Sequence, residues 1–178
     1  MMKRYALTAI GRDKPGIVAA VTKALFEHGC NIEDSSMTIL EDEFAIILIM
    51  SKSGPPDALK KDLRKTEKDL GLTVTLKKIP KESASRAGQS NYIITLHGAD
   101  KAGIVYRTAE LLASMGVNIT DLETKTVGEA GKKVYIMVLE VYAPKGADVT
   151  ALEWRLEELA RSLGVTVKIK PVEAYEPL

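Results

Sequence analysis

The sequence has little of what metal sites, disulfide frameworks and nucleobase readers are made from. It holds one cysteine, Cys30, and two histidines, His28 and His97, in 178 residues. A single thiol excludes an internal disulfide framework and fits a reducing cytoplasm. It cannot build a thiolate cluster, and no Glu-x-x-His pair accompanies the histidines, so no metal or other cofactor is expected. Aromatic residues make up only 5% of the chain, too few for the stacking platforms of RNA-binding sheets. No apolar run approaches the roughly 18 to 20 residues that span a bilayer, so no membrane partner is expected. The opening stretch MMKRYALTAIGRDKPG has a short apolar part that reads as a strand, not as a signal peptide. A charge excess of one sign is also lacking. Residues 1–80 carry 13 Lys and Arg against 11 Asp and Glu, residues 91–178 carry 10 against 12, and the chain's formal net charge is +1. Direct nucleic-acid binding, which rests on Lys and Arg contacts to phosphate, is therefore not expected.

What the chain does have is the same stretch twice. GRDKPGIVAAV begins at Gly11 and GADKAGIVYRT at Gly98. Aligning Tyr5–Asp34 with Tyr92–Asp121 without a gap gives 13 identities in 30 positions, where chance would give roughly two. Farther on, ALKKDLRKTEKDLGLTVT from Ala58 matches ALEWRLEELARSLGVTVK from Ala151. The chain is a duplication.

Each copy reads as strand, helix, two strands, helix, strand. YALTAI is an apolar run that reads as a strand; Ile17, Val21, Ala24 and Leu25 recur at helical spacing, and Gly29 follows where a helix ends. NIEDSSMTIL and FAIILIMS flank the acidic turn EDE. Leu59, Leu63, Thr66 and Leu70 then form a second helical face ended by Gly71, before LTVTLKKI. In the second copy that face is Val149, Leu152, Leu156, Leu159 and Leu163, ended by Gly164. The expected fold is α+β: two ferredoxin-like βαββαβ domains, residues 1–80 and 91–178, each an antiparallel sheet with both helices on one face. The polar Ser- and Gly-containing segment 81–90 is the expected linker. FAIILIM is apolar at both parities, so the helix-free sheet face is expected to be covered by the other domain or by a second chain, the latter as a homodimer. Hydrophobic excess in a central strand is the alternative.

The repeated glycine loop is the candidate site. A helix N-terminus offers unpaired N–H groups and positive partial charge to a carboxylate. Gly16 and Gly103 leave the backbone open to approach, and Pro15 pre-sets a helical φ. Asn31 and Asn118 supply both donor and acceptor, while Asp13 and Asp100 can face an ammonium group. Ordinary capping by the Asp and turn chemistry at the Asn are the structural alternatives.

On these residues, RDKPGIVAAVTKALFEHGCNIEDSS resembles the opening of an ACT domain, and ADKAGIVYRTAELLASMGVNITDLET is similar to a second one. The resemblance covers nearly the whole chain. It implies a non-catalytic, amino-acid-sensing regulator whose effector is a small free amino acid, such as glycine or serine. A stand-alone pair of this length is similar to family members that control transcription of glycine metabolism through a protein partner, such as a DNA-binding activator or a metabolic enzyme. The site residues it implies are Asp13, Lys14, Pro15, Gly16, Ile17, Asn31 and Ile32, and in the second copy Asp100, Lys101, Gly103, Ile104, Asn118 and Ile119. Ligands of the family sit between paired domains, near the first loop of one and the start of the second strand of the other. Ala102 stands where the motif prefers proline, so the first loop is expected to be the better site.

Other classes fit less well. No nucleophile elbow or Walker loop occurs, and an acylphosphatase, in which Arg12 and Asn31 would be cast, needs a more glycine-rich loop. A dimerisation module or the detached regulatory half of a metabolic enzyme stays open. Trp154 reads as an interface anchor or partial core. Lys60, Lys61, Arg64, Lys65 and Lys68 read as a solvated helix face, with docking to an acidic helix as the alternative. Cys30 aligns with Val117 and is expected to be a buried small hydrophobe.

Overall fold

Tyr5, Leu7 and Ala9 alternate with Ala6, Thr8 and Ile10 in β1 (Met2–Arg12), and only the first set is buried. That period-two pattern sets one face of a sheet against helices. The computed structural model describes residues 2–80, 89–129 and 133–172. After β1 comes α1 (Ile17–Glu27), which buries Ile17, Val21, Ala24 and Leu25. β2 (Asn31–Leu40) and β3 (Glu43–Ser53) form a hairpin, α2 (Asp57–Leu70) buries Leu59 and Leu63, and β4 (Leu72–Ile79) completes the sheet. The strand order is β2-β3-β1-β4 with every neighbour antiparallel.

The second unit repeats this with β5 (Tyr92–Gly98), α3 (Ile104–Ser114), β6 (Asn118–Val127), β7 (Val134–Tyr142), α4 (Val149–Leu163) and β8 (Val165–Pro171). Its order is β6-β7-β5-β8. Both units are therefore the ferredoxin-like βαββαβ fold that the repeated pattern predicts. The chain divides into two units, 1–84 and 85–178, and residues 81–88 of the expected linker lie outside the described residues.

The apolar runs resolve into two faces. In β3, Phe44, Ile46, Leu48 and Met50 are buried against the helices, while Ala45, Ile47 and Ile49 point the other way, with Ile47 45% exposed. In β7 the inward residues are Met137, Leu139 and Val141. Ile10 and Ile47, each about half exposed, lie close together on the helix-free face of the first sheet.

The helix ends follow from the glycines. Gly29 has φ 63°, its N–H donates to Phe26 O at 3.0 Å, and the Cys30 N–H donates to Leu25 O at 3.0 Å. Gly116 repeats the pattern with Ala113 and Leu112. This paired closure satisfies two carbonyls that the last turn would otherwise leave bare. Lys52, almost fully buried, donates from Nζ to His28 O and Ser53 O, both at 3.1 Å. His28 Nε2 lies 2.8 Å from Asp62 Oδ2 and ties the end of α1 to α2.

Candidate functional site

The loop from Asp13 to Gly16 leaves β1 at the end of the sheet that carries the β2–β3 turn. The Asp13 N–H donates to Asp42 O at 2.7 Å, which fastens the loop to that turn. Gly16 caps α1 with φ 95°, and Gly103 caps α3 with the same φ of 95°. That left-handed geometry strongly favours glycine. No side chain caps either helix start, so Asp13 and Asp100 are not the caps that their positions suggest. Pro15 lies in the turn before Gly16, outside the helix, so its fixed φ shapes the entry and not the first helical turn. A side-chain cap of the expected kind occurs instead at α4, where Asp148 Oδ1 accepts from Ala151 N at 2.9 Å.

Ile17 and Ile104 are fully buried beneath the loop and anchor it. Lys14 Nζ donates to Leu70 O at 3.3 Å, and Lys101 Nζ donates to Leu163 O at 3.0 Å. Each lysine thus closes the C-terminal end of its unit's second helix, where the helix dipole favours a cation. The remaining loop surface offers what a carboxylate needs: the first N–H groups of α1 lack intrahelical partners, and a Cβ at Gly16 would meet nothing within 4 Å.

Asn31 and Ile32 begin β2, where Asn31 faces Ser51 of β3, whereas Arg12, next to the loop, faces Glu43. The loop and Asn31 therefore lie at opposite ends of the unit. The 11 residues of α1 run between them, roughly 16 Å of helix. The same holds for Asp100–Ile104 against Asn118 and Ile119. Within one unit the structure does not bring the two halves of the expected site together.

Each half has its own surroundings. The start of β2 borders an open groove of about 570 Å³ against the outer face of α1, lined by Thr22, Lys23, Phe26, Cys30, Asn31 and Ile32 among others. Phe26 is 81% exposed. Thr22, Lys23 and Phe26 were not singled out in the sequence, though an apolar aromatic on the polar side of an amphipathic helix was the signal available. Cys30 is half-buried; burial raises its thiol pKa, partly offset by the nearby Lys52 ammonium. In the second unit a groove of about 680 Å³ lies between α3 and α4, where Arg107 and Arg155 stand with Glu110 and Glu158. All four charges are exposed, so water screens them and any ion pair there contributes little. Tyr135 lies near Asp100; burial chiefly raises its phenol pKa, the Thr124 hydrogen bond lowers it, and the Asp100 charge raises it further. Among the described residues no group of three or more His, Cys, Asp or Glu side chains is placed to hold a metal ion, and no helix is long and apolar enough to cross a membrane.

Two copies of a βαββαβ unit with a glycine loop at each first helix define a class of small modular domains. Residues 5–77 and 90–170 match the ACT domain family, and the chain belongs to it. The glycine cleavage system transcriptional repressor of Escherichia coli is 26% identical over 169 residues, which cover 93% of this chain and 88% of that protein. A UPF0237 protein of Methanopyrus kandleri is 41% identical over 76 residues, covering 41% of this chain and 84% of that protein. Among solved structures, an unknown protein from Galdieria sulphuraria shares the fold with a TM-score of 0.81 and 24% identity, over 97% of this chain and 100% of that one.

Proposed function

We propose that this chain is a non-catalytic regulatory protein that senses a small amino acid, such as glycine or serine. It would act on transcription of amino-acid metabolism through a protein partner, a DNA-binding activator or a metabolic enzyme. The observation that carries this reading is the relationship to the Escherichia coli glycine cleavage repressor along 93% of the chain, both ACT units included. The surface charge supports a protein partner over DNA, since the net charge is +1 and duplex binding draws on many phosphate contacts.

The separation of the loop from Asn31 gives the proposed site a definite form. A free amino acid is a few ångströms long and cannot bridge the length of α1. If both elements touch one ligand, they come from different units. The helix N-terminus of one then takes the carboxylate, and the Asn side chain of another meets the remaining polar groups.

A thermal-shift panel of the free amino acids tests the reading. A ligand held only by the native state stabilises it by RT ln(1 + [L]/Kd), about 2.7 kcal/mol at 100 times Kd. A single small amino acid raising Tm by several degrees supports a sensor. No shift with any of them removes the sensor and leaves a dimerisation module.

A further inference from the structure

The second helices of the two units carry opposite charges at matching positions of the repeat. Lys60, Arg64 and Lys65 of α2 stand where α4 has Glu153, Glu157 and Glu158. With Lys61 and Lys68 the α2 cations span one arc of about 140°, at 100° per residue, which only Asp57 in the first turn interrupts, and all five are exposed. On α4 the same arc holds the three glutamates, Arg161 and, in place of Lys61, Trp154. Trp154 is the chain's single tryptophan and is 58% exposed. Both arcs face away from their sheets, because α2 packs inward through Leu59 and Leu63 and α4 through Leu152, Leu156 and Ala160. Among the described residues none of these arc side chains is in an ion pair.

A helix face kept only for solubility mixes both signs. Here the signs are largely segregated: five cations against one carboxylate, Asp57, on the α2 arc, and three carboxylates against one cation, Arg161, on the α4 arc, where an aromatic also stands. We infer that a second copy of this chain docks here, α2 of one copy against α4 of the other. The glutamates then face the lysines and Arg64, and Trp154 offers its ring to a Lys or Arg head group, a favourable cation–π pairing. Pairing of α2 with α2, or of α4 with α4, is opposed by like charge. Each copy carries one basic and one acidic arc, so each copy has both halves of the contact. Nothing in this depends on the amino-acid site.

Sedimentation of the full chain tests it, with two triple variants: Lys60→Glu/Arg64→Glu/Lys65→Glu, and Glu153→Lys/Glu157→Lys/Glu158→Lys. All six positions are exposed, and circular dichroism checks that each variant folds. The wild type is expected to associate at about 50 mM salt and to weaken by ~10-fold or more at about 500 mM, as screened charge contacts do. Each variant alone is expected to lose the association, because both its arcs then carry the same sign. An equimolar mixture of the two is expected to recover it. A wild type that stays monomeric at low salt overturns the inference. So does self-association that neither variant disturbs, or a mixture of two folded variants that fails to recover.

Discussion

Lys101 Nζ donates to the main-chain oxygen of Leu163 at 3.0 Å, and its counterpart Lys14 reaches Leu70 O at 3.3 Å. The lysine common to both copies of the loop therefore serves α4 and α2 by closing their C-terminal ends. A cation there adds a charge-assisted hydrogen bond and a favourable dipole term. Replacing Lys101 by Met is expected to cost about 0.5–1.5 kcal/mol, and Lys14→Met less, because its bond is longer and more exposed. Urea denaturation of both variants measures this. Unchanged stability together with lost amino-acid binding would assign the lysines to the ligand instead.

Gly11 and Gly98 repeat for a packing reason. A Cβ at Gly11 would stand 2.9 Å from Gly71 O, and one at Gly98 would stand 3.0 Å from Val165 Cα. Backbone atoms cannot swing aside, so β4 and β8 would have to move away from their neighbours. Gly11→Ala and Gly98→Ala are each expected to destabilise by about 1–3 kcal/mol, the range of overpacking. Gly16→Ala acts differently: its Cβ meets open space, but φ 95° strains any L side chain, at about 1–3 kcal/mol. The two causes separate structurally. Amide exchange should rise along the β1–β4 edge in Gly11→Ala and at the first turn of α1 in Gly16→Ala. The same pattern in both variants would defeat this distinction.

Much of the fold was legible because its signals are local. The apolar run YALTAI, the spacing of Ile17, Val21, Ala24 and Leu25, and the glycines that end helices each act within a few residues. The duplication reinforced them. The site was less legible because its recurring residues answer to more than one demand. Asp13 and Asp100 resemble caps by position, yet the caps are Gly16 and Gly103 in left-handed geometry. Lys14 and Lys101 recur because of carbonyls 56 and 62 residues away, a contact no local pattern reports. The distance from the loop to Asn31, by contrast, is set by the length of α1 between them, which the helical spacing already reports.

Cys30 was expected to be a buried small hydrophobe; it is half-buried beside the first core. Desolvation raises its pKa and the Lys52 charge opposes this. The folded state therefore holds the proton beyond the pH at which an unfolded thiol loses it. The stabilisation linked to this proton is complete below the unfolded thiol's pKa, and is lost as pH rises toward the folded pKa. Alkylation by iodoacetamide at mildly alkaline pH is expected to be slower in the native protein than in urea. Lys52→Met should slow it further by removing the charge that favours thiolate. A native rate equal to that of the unfolded chain would contradict the assignment.

The proposed composite site makes a claim that single variants cannot test. Asp13 and Asn31 are both exposed, and among the described residues neither side chain makes a hydrogen bond, so Asp13→Ala and Asn31→Ala should leave the fold intact. They lie at opposite ends of α1, which puts them beyond direct contact within one unit. Two residues so separated contribute additively unless something joins them, usually within about 0.3–0.5 kcal/mol. A ligand held between the loop of one unit and the Asn of another joins them. Calorimetric titration of the stabilising amino acid against wild type, both single variants and the double variant gives the coupling. A composite site is expected to show more than about 0.5 kcal/mol of coupling, with the double variant losing less than the sum of the two singles. Additive losses would mean that the two residues serve separate sites. Loss from Asn31→Ala alone would move the ligand into the groove beside Phe26, and loss from Asp13→Ala alone would confine it to the loop.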